Sequence, residues 1–153
     1  MKYLYLRGIA LLFTAFSLTV SAQSDRLNEP NQNKPRLFDA FSNDININAV
    51  QLSNLLDYEV GQSVNITLAP GFQFLGQVVS TSNKSDNNIQ SIVVSSSNFN
   101  GARLTFTKVT DENMKVSYTG RIISFQNGDV FELVNRDNQY YFIKKKFYDL
   151  VNE

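Results

Sequence analysis

The chain has no cysteine, no histidine and no tryptophan, and only three prolines and seven glycines in 153 residues. Without cysteine there is no disulfide framework, no thiolate nucleophile and no sulfur ligand for a metal. Without histidine the commonest general base and the commonest metal ligand are lost together. Nor is there a charge excess: basic and acidic residues number 14 each, and without Lys2 and Arg7 the balance is twelve against fourteen. A nucleic-acid binder carries a basic excess, so that class is excluded. No Gly-x-Ser-x-Gly elbow, Ser-x-x-Lys dyad or glycine-rich loop before a helix occurs, so nucleophilic and phosphate-cradling sites have no sequence support.

The carboxylates that remain do not pair. Asp129 and Glu132 lie three apart, which in a strand places them on opposite faces. Asp57 and Glu59 straddle a helix-to-strand boundary, and Asp111-Glu112 falls in a turn. Asn43-Asp44 and Asp137-Asn138 offer oxygen atoms without the ligand density of a calcium loop. No residue is therefore assigned a catalytic, metal or cofactor-binding role. The expectation is a protein that is not an enzyme and takes no cofactor.

What is present begins with a leader. Lys2 and Arg7 flank the start, residues 8–20 are almost wholly apolar, and Val20-Ser21-Ala22 places small residues where a signal peptidase reads. This is the three-part secretory pattern, with cleavage expected after Ala22. The apolar run is short for a hydrocarbon core of about 30 Å, so a cleaved signal (1–22) is preferred to a membrane anchor. No cysteine at the cleavage point supplies a lipid anchor. The chain is expected to be exported, to the periplasm or beyond, and unanchored. Residues 23–36 are polar, rich in Asn and carry Pro30 and Pro35, which predicts a disordered arm. Residues 37–153 are long enough for one domain with a core of its own. Leu37, Phe38, Ala40 and Phe41 are expected to dock the arm onto it.

The rest reads as β. Ile45, Ile47 and Ala49 alternate, and Val50, Leu52, Leu55 and Leu56 fit one or two helical turns, over too few residues for periodicity to decide. From Gly61 onward seven strands follow in order: near 64–68, then 72–81, 89–96, 102–109, 114–125, 129–135 and 139–145. Their turns are Ala69-Pro70-Gly71, a polar loop at 82–88, 97–101, 110–113, Gln126-Asn127-Gly128 and 136–138. Phe147, Leu150 and Val151 fit a closing helical turn. The fold class is therefore mostly β: about seven antiparallel strands in a small barrel or sandwich, with a short helix before the first main strand.

Two strands share a grammar. Phe74-Leu75-Gly76-Gln77-Val78-Val79-Ser80 and Tyr118-Thr119-Gly120-Arg121-Ile122-Ile123-Ser124 both read aromatic, any, glycine, polar, two β-branched, serine. A glycine inside a strand marks a bend or a close backbone approach. The pair predicts equivalent places for Gly76 and Gly120, with Tyr118 and Ile122 in the core and Arg121 outside. Phe72, Phe74, Phe106, Tyr118 and Phe142 are the residues that would line a barrel interior, either as packed core or as the wall of a small-ligand pocket.

The charge cluster is Lys144-Lys145-Lys146, which with Tyr141 is the candidate partner surface. It would face an anionic partner or a membrane surface; the alternative is a solvated strand end that keeps an edge from aggregating.

The order of elements resembles the prodomain-like β region that precedes the catalytic domain in bacterial secreted metallopeptidases of the metzincin type. The similar stretches are Val50-Gln51-Leu52-Ser53-Asn54-Leu55-Leu56, residues 61–71, 74–80, 118–124 and 140–143. The chain is also similar to small exported proteins of Bacteroidota. A metzincin catalytic domain needs a His-Glu-x-x-His helix, which a chain without histidine lacks. The resemblance therefore implies a free-standing pro-region-like module that binds or inhibits a secreted peptidase. The alternatives are a small-ligand-binding barrel or an envelope structural component.

Overall fold

A computed structural model describes residues 35–84 and 88–147. The expected leader, most of the expected arm, and Leu150 and Val151 of the expected closing turn lie outside the described residues.

Among the described residues one antiparallel sheet holds eight strands: β1 (Asp44–Ile47), β2 (Ser63–Ala69), β3 (Phe72–Lys84), β4 (Ile89–Ser96), β5 (Ala102–Thr110), β6 (Val116–Ser124), β7 (Asp129–Arg136) and β8 (Gln139–Lys146). The order across the sheet is β1-β8-β7-β6-β5-β4-β3-β2. From β2 to β8 it is an uninterrupted meander, and β1 returns to pair with β8. The sheet curls into a half-barrel rather than splitting into a sandwich. The strand that raises the expected count to eight is β1, whose four residues are too few for alternation to decide.

Between β1 and β2 lie helix α1 (Ala49–Ser53) and a 3-10 turn (Asn54–Asp57). Asn48 starts the helix: its Oδ1 accepts from the backbone N–H of Val50 at 3.0 Å and of Gln51 at 3.4 Å, satisfying donors that the first turn leaves open. Leu52 and Leu55 are buried and carry the helical segment onto the core.

Alternation explains the core. In β2, Val64, Ile66 and Leu68 point inward while Ser63, Asn65 and Thr67 face solvent. Phe72, Phe74, Phe106, Phe131 and Phe142 have no exposed surface and fill the concave side. Residues 35–43 cross one end of the curl as a strap. Phe38 enters the core against Phe72, Phe99 and Phe131, and Phe41 stacks on Phe72 with centroids 4.1 Å apart. Both dock as their sequence implies.

Polar ties hold this strap to distant parts of the chain. Asn127 Nδ2 donates to Pro35 O, Leu37 N donates to Asp129 Oδ2 at 2.7 Å, and Lys144 Nζ donates to Phe41 O. Asp129 is buried. Burial pushes its carboxyl above the ordinary 3.8, against the opposing pull of the Leu37 and Phe38 N–H groups; nearby Asp39 raises it and Arg36 lowers it.

The two glycine-centred strands match in part. Phe74, Gly76 and Val78 face the interior, as do Tyr118, Gly120 and Ile122. A Cβ on Gly76 would overlap Ser95 O and sit 2.7 Å from Val94 Cγ1, on the following strand. A Cβ on Gly120 would lie 3.0 Å from Thr105 O, on the preceding strand. The match ends after Val78. A bulge between Val78 and Ser80 turns Val79 and Ser80 outward, whereas the counterpart Ser124 is buried.

Candidate functional site

The recess with the most chemistry lies at the rim where β1, α1 and the β7–β8 hairpin meet. It encloses about 500 Å³ and is lined by Asn46, Ile47, Asn48, Ala49, Val50, Tyr118, Asn138, Gln139 and Tyr140. No charged side chain lines it.

Each wall has a local cause. The β7–β8 loop is Asp137-Asn138, both in the left-handed region at φ 52° and 64°. Positive φ at both central residues is the two-residue hairpin geometry that Asp and Asn tolerate best after glycine. The turn puts Asn138 at the rim, and Asn138 N donates to Asn135 Oδ1. Gln139 and Tyr140 open β8, with Tyr140 paired to Ile47. Asn46 Nδ2 donates to Gln139 Oε1 at 3.3 Å, tying the two edges of the recess together.

The backbone of β1 adds to the wall. Lys144 N donates to Asn43 O, so antiparallel alternation gives Ile45 and Ile47 the bonds to β8. Asn46 turns its N–H and C=O toward the open edge. A smaller cleft of about 260 Å³ continues past that edge between Asn46, Gln51, Leu52 and Thr67.

The floor is aromatic. Tyr118 stacks on Phe106 at 5.4 Å, and Tyr140 meets Tyr118 edge-on at 5.5 Å. Tyr140 OH accepts from Tyr118 N at 3.2 Å. Tyr118, expected in the core, is half-buried and belongs to this floor. The other rings expected to line the interior, Phe72, Phe74, Phe106 and Phe142, are packed among themselves and their neighbours with no exposed surface.

The lysine run is arranged differently from a patch. Alternation sends Lys144 and Lys146 to one face of β8 and Lys145 to the other. Lys144 is engaged with Phe41 O and lies 5.8 Å from the centroid of the Phe131 ring. Lys145 Nζ is 4.0 Å from Glu132 Oε2, and Glu132 Oε1 also receives Arg121 at 2.9 Å. Lys146 sits opposite Asp129 in the β7–β8 register. Tyr141 shares the outer face with Lys145 and lies under the Arg136 guanidinium at 5.9 Å. Arg121 is on the outer face, as expected. Among the described residues no group of three or more Asp or Glu is placed to hold a metal ion, and no helix is long and apolar enough to cross a membrane.

Sequence alone does not show the recess, because Asn46 and Gln139, which meet across it, stand 93 residues apart. The signal was there in parts: amides alternate at Asn46 and Asn48, and Asn138-Gln139-Tyr140 places amides beside an aromatic. Only the β1–β8 pairing joins them.

No protein-family model, curated protein or solved structure matches this chain.

Proposed function

We propose that this chain is an exported, non-enzymatic β binding module whose recognition site is the rim recess rather than the lysine-bearing end of β8. The observation that carries the reading is the contrast between the two ends of the curl. One is closed by the strap and its phenylalanines; the other is an open recess with four amide side chains, two tyrosines and no charge. Concave sites with an apolar floor and a few convergent polar groups are where proteins take ligands. Export is supported by the leader pattern in residues 1–22.

The small-ligand alternative moves with this reading from the barrel interior to its rim, because the interior is filled by side chains. The secreted-peptidase partner has the sequence resemblance behind it and becomes an outcome of the same experiment. Immobilised chain is exposed to the exported material of its native source, and bound protein and glycan are quantified by mass spectrometry. Gln139→Arg or Val50→Arg, which put a charge into the mouth of the recess, should abolish specific capture. Lys145→Gln and Lys146→Gln should leave it intact. Loss with the lysine variants and retention with the recess variants would reverse the assignment.

A further inference from the structure

We infer that the rim recess takes a neutral, hydroxyl-rich ligand, with a short glycan segment as the fitting class; this rests on the recess being the binding site. Each polar group of the recess keeps hydrogen-bonding capacity that its internal bonds leave unused. Asn48 Oδ1 is committed to the start of α1, which leaves its Nδ2 hydrogens as donors. The bond from Asn46 Nδ2 to Gln139 Oε1 leaves Asn46 Oδ1 as an acceptor and Gln139 Nε2 as a donor. Tyr140 oxygen already accepts from Tyr118 N, so its own hydrogen remains to donate. Donors and an acceptor therefore remain on residues that line one recess, the pattern that adjacent hydroxyls complement because each both donates and accepts.

The remaining lining fits the same class. Ile47, Ala49, Val50 and the two tyrosine rings offer apolar surface for the C–H face of a sugar ring. An ionic ligand would meet no counter-charge there, and losing its hydration would go uncompensated. An uncharged extended peptide shares the hydrogen-bonding pattern, and the titration below separates the two classes.

The test is calorimetric titration of the full chain with maltotriose, cellotriose and chitotriose, and with an acetylated, amidated Ala-Ser tetrapeptide. At least one sugar should bind, with affinity unchanged between about 0.05 M and about 0.5 M NaCl, since no ion pair is involved. Gln139→Ala should weaken it about tenfold, the size of one lost hydrogen bond. Asn138→Gly should weaken it while keeping the fold, because φ of 64° suits glycine. Binding of the peptide alone, sensitive to the same two substitutions, overturns the ligand class and keeps the recess. Sugar binding indifferent to both substitutions overturns the recess itself. No sugar binding up to about 10 mM, far weaker than a functional site, also overturns the ligand class.

Discussion

Asp129 shows how one side chain does two opposing things. Its carboxylate receives the strap through Leu37, yet it is buried, and burial disfavours its charge. Because its folded pKa is raised, the contribution of its protonation to stability is full below the unfolded value and is lost as pH rises through the folded value. The stability difference between the native chain and Asp129→Asn should therefore fall as pH rises from the ordinary 3.8 upward. Thermal unfolding of both proteins across that window checks it; a difference that grows with pH would mean that the Leu37 and Phe38 N–H groups outweigh burial. Asp129→Ala removes the acceptor and should cost about 1–3 kcal/mol, the usual penalty for a buried donor left unmet. The glycines allow a second residue-scale comparison. Gly76→Ala drives a methyl into the backbone of β4 and should cost about 1–3 kcal/mol. Gly120→Ala meets looser surroundings and should cost less. Equal losses in urea denaturation would contradict the close approach at Gly76. Neither the Asp129 tie nor this asymmetry was legible in the sequence, which shows a carboxylate and two similar glycines but not their neighbours.

At the scale of elements, legibility followed alternation. Strands β2 and β4 to β8 were readable to within a residue or two: β2 by clean alternation of core and solvent faces, β8 as a run apolar on both faces between turn residues, and the others by short β-rich runs between turns. Strand β3, expected over 72–81, runs on to Lys84 into what read as a polar loop, and the facing of its residues was readable only to the bulge: Val78 and Val79 look alike in sequence, and nothing local says that one is inward and the other exposed. The Gln126-Asn127-Gly128 turn was correctly placed but is broader than a two-residue hairpin. Ser124 O accepts from both Asn127 N and Gly128 N, and Asn127 is diverted to hold the strap. The strap itself predicts a graded result. Phe38 is wholly buried whereas Phe41 is partly exposed. Phe38→Ala should cost about 3–5 kcal/mol and Phe41→Ala distinctly less, measured by denaturant unfolding. The reverse order would show that the stack on Phe72, and not the insertion of Phe38, closes that end.

At the scale of the molecule, the curl has a filled interior, one end sealed by aromatics and one open neutral rim. The fold class was legible, since a mostly β chain with a short leading helix follows from pattern alone. The choice of half-barrel over sandwich was not, because it depends on β1 crossing back to β8 over a separation that no local signal encodes. The recess shares that cause. The measurement that bears most directly on the rim as recognition site is amide chemical-shift mapping of the full chain while the captured native ligand is added. The largest shifts should cluster at residues 46–50, Tyr118 and 138–140, with Lys144, Lys145 and Lys146 unmoved. Shifts centred on the lysine-bearing end of β8, with the rim silent, would contradict it.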